Sequence, residues 1–275
     1  MRYRKGSIKL NQSRDLPLLR QILRSEFATH AQLFDFMRLN YCERSRKSFD
    51  WRLRRLVRHG FVLQREMPAC GGQPVYSVGR SGALLLQGLG EYYLLGCERG
   101  NRNSVEPSVL HAIELNEIHL SVLRSGLLVR WIPAIEIRSQ NELTRFGYAK
   151  DYDAIVTVHT DTGEERFALE YERTSKAAKF YRAIAASIAH EARPDCILYL
   201  TPNYDLLQFV STFFVSVKRA VYFGLARDWH ERLLDMAVSQ HTGTNGLRFR
   251  DALGAADFKD RGLRAASLSL PLRFL

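Results

Sequence analysis

The chain has four cysteines among its 275 residues, Cys42, Cys70, Cys97 and Cys196, and no CxxC pair. Thiols this scattered, with no histidine pair nearby, exclude zinc-knuckle spacing and a disulfide framework. They fit reduced cysteines in a cytoplasmic protein. No run of about 18 apolar residues occurs, which argues against a membrane-spanning helix. The opening, MRYRKGSIKLNQSRD, is basic but has no apolar stretch behind it, so it does not read as a secretory signal. A G-x-S-x-G elbow is also missing, and with it the usual marker of a serine nucleophile.

Negative charge is scarce in one region only. Residues 1–90 hold 17 Lys+Arg against 6 Asp+Glu, while residues 91–275 hold 23 of each. The whole net charge of +11 therefore sits in the first third. Such asymmetry points to two units, one of which meets a polyanion. Nucleic acid fits better than an anionic membrane surface, because the basic region carries no amphipathic anchor rich in aromatics.

Within that third, DLPLLRQILRSEF (15–27) places Leu16, Leu19, Ile22, Leu23 and Phe27 on one helical face, with Asp15 positioned to cap it. Thr29 and Gln32 have the spacing of a capping box, which predicts a second helix from His30. In the third segment, residues 43–60, Phe49, Leu53, Leu56 and Val57 form the apolar stripe and Gly60 the stop. The opposite face collects Lys47, Trp51, Arg54, Arg55 and Arg58, with Ser48 at its edge. FVLQREMPACGGQPVYSV then reads as a β-hairpin. Helix, helix, cationic helix, hairpin is the order of a winged helix-turn-helix, spanning about 10–95. Its third helix would enter the major groove of double-stranded DNA. The blander alternative is a cationic face that is merely solvated.

The stretch GCERGNRNSVEP (96–107) is rich in turn formers and reads as a boundary. Beyond it, residues 108–126 read as a helix, and LVRWIPAIEIR (128–138) as a strand interrupted by Pro133. Two runs flanking TDTGEE predict a hairpin, with Asp153 near the start of one strand and Glu170 and Glu172 near the end of its partner. Carboxylates that converge on one sheet face repel, and a divalent cation such as Mg²⁺ or Mn²⁺ would cancel the repulsion. A solvated face, neutralised by Arg166, Arg173 or Lys176, is the alternative. A helix is predicted from Thr174 or Ser175, with Lys176 in its first turn and Phe180, Tyr181, Ile184 and Ile188 as its buried stripe. Strand, helix and strand then complete a mixed α/β core over about 105–240. His119 and His159 read as bystanders, and residues 241–275 are weakly patterned.

Asp153, then Glu170-Tyr171-Glu172, then a lysine-bearing segment resembles the PD-(D/E)xK nuclease superfamily. Preceded by a winged helix, the arrangement is similar to the replication-relaxation family of plasmids and mobile elements. The segments that carry the likeness are YDAI, LEYERTSK and ILYLT. The resemblance implies a restriction-endonuclease-like mixed sheet and metal positions at Asp153 and Glu170. It also implies an accessory acid at Glu114 or Glu117, and puts Glu172 where the catalytic lysine usually stands. Lys176 could supply that lysine. Tyr152 and Glu172 both depart from the family pattern, the second more seriously. Three classes stay open: a Mg²⁺- or Mn²⁺-dependent DNA endonuclease, a non-catalytic DNA-binding regulator acting as a homodimer, and an accessory protein recruited by a replication or mobilisation partner.

Overall fold

The structure is a computed structural model that describes residues 8–91, 93, 105–144, 147–240 and 246–254. It divides into two compact units. One holds the residues up to Arg124 together with Pro133–Ser139, and the other holds Ser125–Ile132 and the residues from Gln140 onward.

In the first unit, α1 (Asp15–Ser25) buries Leu18, Leu19 and Ile22 completely, as its 3.6-residue spacing requires. Asp15 does not cap this helix. Arg14 holds the cap position without a side-chain bond, and the buried Asp15 carboxylate accepts from the Asn11 N–H at 2.6 Å. Arg52 and Arg55, from another helix, draw it inward. A two-residue strand, β1 (Ala28–Thr29), leads into α2 (His30–Tyr41), which starts with the expected capping box between Thr29 and Gln32. Helix α3 (Arg46–Arg58) is capped by Ser45 and buries Phe49, Leu53 and Leu56. Burial of each such side chain stabilises the unit by roughly 1.5–3 kcal/mol.

Strands β2 (Val62–Glu66) and β3 (Pro74–Val78) form the expected hairpin, and β1 pairs with the far side of β3 in a β1-β3-β2 sheet. Gly71 and Gly72 both take positive φ in the connecting turn, which L side chains rarely adopt. At the hairpin's exit a Cβ on Gly79 would lie 2.3 Å from the Gly60 carbonyl oxygen, so only glycine fits. Helix α4 (Arg80–Gly88) follows.

Helix α5 (Val105–Arg124) belongs to this unit, although the sequence boundaries place it with the second domain. Its polar residues do the joining. Asn116 Nδ2 donates to the Phe27 carbonyl, and Gln32 Nε2 donates to the Ile113 carbonyl, each at 2.8 Å. The boundary stretch read between the units falls mostly outside the described residues.

The second unit is built on a five-stranded mixed sheet in the order β4-β5-β6-β7-β8. These strands are β4 (Leu128–Pro133), β5 (Ala154–Thr160), β6 (Gly163–Tyr171), β7 (Cys196–Thr201) and β8 (Val221–Leu225). β5 and β6 are antiparallel, while β6, β7 and β8 run parallel. Every residue of β7 is buried, as a central parallel strand covered on both faces demands. One face, carrying Tyr199 and Phe223, is covered by the 3-10 turn Thr212–Phe214. Phe214 packs 5.1 Å from Tyr199 and 5.7 Å from Phe223. The other face packs Phe167 against Trp229 and Phe249.

Three elements differ from the expected pattern. Residues after Pro133 form helix α6 (Ala134–Leu143) rather than continuing a strand. The Ile-Glu-Ile-Arg alternation mimics a strand, but Ala, Glu, Arg, Gln and Leu are strong helix formers. Helix α7 (Ala178–Ala189) starts later than its Thr/Ser signal, so Lys176 lies in the preceding loop. Phe180 is exposed and the buried stripe is Tyr181, Ala185 and Ile188. Helices α8 (Tyr204–Ser211) and α9 (Ala226–Arg232) complete the unit. The short strands β9 (Ala237–Val238) and β10 (Leu247–Arg248) draw residues 246–254 of the unassigned tail into it, burying Phe249, Ala252 and Leu253.

Candidate functional site

Two groups of side chains carry chemistry, one in each unit. In the first, α3 turns its apolar stripe inward and leaves Lys47, Trp51, Arg54 and Arg58 exposed, Trp51 at 62%. Lys47, Arg54 and Arg58 make no ion pair with the described residues, so their charge is directed at solvent. Ser48 is half-buried, with its N–H held by the Ser45 hydroxyl at 3.2 Å.

Arg55 differs from its neighbours. Its guanidinium lies 4.8 Å over the Trp51 ring and binds the buried Asp15 carboxylate at 2.5 Å. Arg52, which the sequence pattern did not single out, is buried and bridges Glu43 at 2.6 Å and Asp15 at 3.6 Å. Burial raises the Glu43 carboxyl, but the Arg52 bond, the Ser45 N–H and the charges of Arg52 and Arg14 together outweigh it, and the group ends below its ordinary range. α3 is thus tied to α1 through Arg52 and Arg55, and presents a rigid face with Trp51 at its centre.

In the second unit, β5 and β6 pair so that Ala154 faces Leu169. One step further along this register Asp153 stands opposite Glu170. β7 places Tyr199 level with Glu170 on the other side. Side chains at one level of a sheet share a face, so Asp153, Glu170 and Tyr199 do, with Glu172 two residues further along. The face is not solvated: Glu170 and Glu172 are only 7% and 5% exposed.

Each carboxylate has a partner from its own chain. Asp153 Oδ2 accepts the Tyr171 N–H at 2.7 Å. Glu172 pairs with Lys176 at 3.0 Å. Glu170 pairs with Lys150, a residue the sequence reading missed because no local pattern marks it. Burial, with Asp153 beside it, pushes the Glu170 carboxyl up against the pull of Lys150, to about 7. The Tyr199 hydroxyl is wholly buried and has no hydrogen-bond partner among the described residues; burial and then Glu170 raise its pKa well above the ordinary phenol range.

The segment before β5 is fixed by Glu191, another buried carboxylate. Its Oε2 accepts from the Ala149 N–H at 2.9 Å and the Tyr152 hydroxyl at 3.0 Å, and its Oε1 from the Ala192 and Arg193 N–H groups. Glu117, a candidate accessory acid, is engaged inside the first unit by Gln32 at 2.8 Å and Arg124 at 3.6 Å; Glu114 lies half-buried on the same helix.

No group of three or more His, Cys, Asp or Glu side chains among the described residues is gathered closely enough to hold a metal ion. A Mg²⁺ ion needs only one or two protein carboxylates, because it keeps most of its waters. Asp153 and Glu170, level with each other across β5 and β6, are the residues that could hold such an ion, and the Tyr199 hydroxyl, unpartnered among the described residues, is the kind of atom a bound water would satisfy. Among the described residues no helix is long and apolar enough to cross a membrane. Comparison with protein-family models, curated proteins and solved structures returned no significant match.

Proposed function

We propose that this chain is a duplex-DNA-binding protein of a plasmid or mobile element, in which a winged helix reads DNA and a nuclease-like α/β unit accompanies it. The observation that carries the reading is the solvent-directed cation row of α3, Lys47, Arg54 and Arg58, beside an exposed Trp51. Three helices followed by a hairpin, with β1 added to the hairpin sheet, support the winged-helix assignment. A helix of this kind fits the major groove, where lysine and arginine contact phosphates and arginine can read guanine.

For the second unit, a mixed sheet with antiparallel β5 and β6 and parallel β6, β7 and β8 supports the nuclease-like reading. Asp153 and Glu170 would hold Mg²⁺ or Mn²⁺, which would supply an activated water and neutralise charge on a phosphoryl group. Lys176, half exposed beside Glu172, would steady the phosphate. A second reading, a regulator or replication accessory protein that binds DNA without cutting it, is favoured by one fact. Asp153, Glu170 and Glu172 each already have an intramolecular partner.

Supercoiled plasmid incubated with Mg²⁺, Mn²⁺ or EDTA, alongside Glu170→Ala, separates the two. Nicking that needs both metal and Glu170 supports cleavage. A gel shift without cleavage supports the regulator.

A further inference from the structure

We propose that Lys150 is a built-in counter-cation that takes the place of a divalent ion on Glu170, so that the Lys150–Glu170 pair and metal binding exclude one another. The inference deepens the carboxylate-site reading above and rests on it only for the identity of the site.

The starting point is electrostatic. Two glutamates 7% and 5% exposed, with Asp153 at the same level, are costly to bury unless positive charge meets them. The chain supplies two lysines, placed differently. Lys176 comes from the loop after β6, is half exposed, and pairs with Glu172 four residues before it. Lys150 comes from twenty residues before Glu170, and its side chain is only 15% exposed. Its ammonium also lies 5.0 Å over the Tyr152 ring.

The position of Lys150 is enforced by its neighbours. Ala149 on one side and Tyr152 on the other both bind the same oxygen of Glu191. The lysine is therefore suspended between two fixed points, with its ammonium on the carboxylate a metal would need. An ammonium in contact with a carboxylate oxygen covers the lone pairs that would face a metal. Mg²⁺ demands oxygen ligands at about 2.0–2.1 Å, so it cannot share the Glu170 oxygen that the Lys150 ammonium occupies, and an ammonium that close repels a second cation. The Tyr199 hydroxyl, unpartnered among the described residues, is consistent with this: Lys150 offsets the charge of this sheet face but does not satisfy every polar atom on it.

The test uses the whole 275-residue chain without DNA. Mn²⁺ binding is measured by calorimetry, and Tb³⁺ binding by luminescence sensitised through the tyrosines. Wild type is compared with Lys150→Met, Lys176→Met and the double variant Lys150→Met/Glu170→Gln. Lys150→Met is expected to bind Mn²⁺ and Tb³⁺ about tenfold tighter or more, the scale on which removing one adjacent competing charge acts. It should also melt lower than wild type in EDTA and recover in Mn²⁺. Lys176→Met should change metal affinity far less, and Glu170→Gln should cancel the gain.

Unchanged or weaker metal binding by folded Lys150→Met overturns the proposal. If Lys150→Met does not fold even with Mn²⁺, Lys150→Gln is judged by the same affinity criterion. Cleavage is scored separately. Tighter Mn²⁺ binding with no cleavage retires the nuclease reading and leaves the counter-cation. Unaltered Mn²⁺ binding with Glu170-dependent cleavage does the reverse.

Discussion

The Tyr152 hydroxyl donates a 3.0 Å hydrogen bond to Glu191, thirty-nine residues away, and the same carboxylate oxygen accepts the Ala149 N–H at 2.9 Å. One buried side chain thus fixes both ends of the short segment that delivers Lys150, and leads directly into Asp153. Glu191→Ala strips four donors of their acceptor. It should destabilise the second unit by about 2–4 kcal/mol, since a bond to a charged group contributes about 1.5–3 kcal/mol and buried donors left unpaired cost more. Urea unfolding followed through the buried Trp229 measures this. A change near zero would mean that the segment is held by other interactions.

The arginines of α3 should separate into two classes. Arg54→Ala with Arg58→Ala removes exposed charge and should weaken DNA binding at little cost in stability. It should reduce the dependence of log Kd on log salt by about 0.9 for each phosphate that is no longer neutralised. Arg55→Ala should instead lower the melting temperature, because it leaves the buried Asp15 carboxylate with fewer partners. Anisotropy titrations at several salt concentrations, run beside thermal melts, tell the classes apart. Equal effects of all three substitutions on stability would contradict the division.

His119 sets a pH dependence in the first unit. Burial, with Arg24 nearby, pushes its imidazole down to about 3, and the ring packs 4.9 Å from Phe36. The unfolded chain takes up a proton near pH 6.5, while the folded chain resists until about 3. The unfolded state therefore binds more protons in that window, and stability falls as pH drops from 6.5 toward 3. His119→Leu should flatten this part of the stability profile, measured by denaturant midpoint against pH. An unchanged slope would mean that His119 takes up its proton equally in the folded and unfolded chains.

Much of this architecture was legible where the signal was local. Thr29 and Gln32 announced α2 through a capping box, Phe49, Leu53 and Leu56 marked the buried side of α3, and Gly71-Gly72 marked the hairpin turn. Alternation put Glu170 and Glu172 on one face, with Asp153 near the matching end of the partner strand, and the β5–β6 register brings Asp153 level with Glu170. What was not legible depends on distance or competition. Arg55 looked like its exposed neighbours because Asp15 lies forty residues away. Lys150 and Glu191 have no neighbouring pattern that marks them. α6 was misread because its period-two isoleucines compete with a helix-forming composition. Residues 246–254 join the second unit through a two-residue strand too short to leave a periodic trace.

Trp51 offers a narrower test of the proposal that α3 faces a DNA groove. Its ring is 62% exposed, and Arg55 is stacked at 4.8 Å. Trp51→Ala should weaken DNA binding without altering the salt slope, because an indole makes apolar contacts and neutralises no phosphate. A loss of affinity accompanied by a smaller slope would mean that Trp51 acts by holding Arg55.

The central claim is that the α3 face binds duplex DNA. The most direct measurement is the affinity of the wild-type chain for a labelled duplex as salt is raised. Binding that weakens linearly in log–log form, with a slope of about −3 or steeper, is expected from three or more phosphate contacts. Absence of binding at low salt, or binding indifferent to salt, would contradict the account.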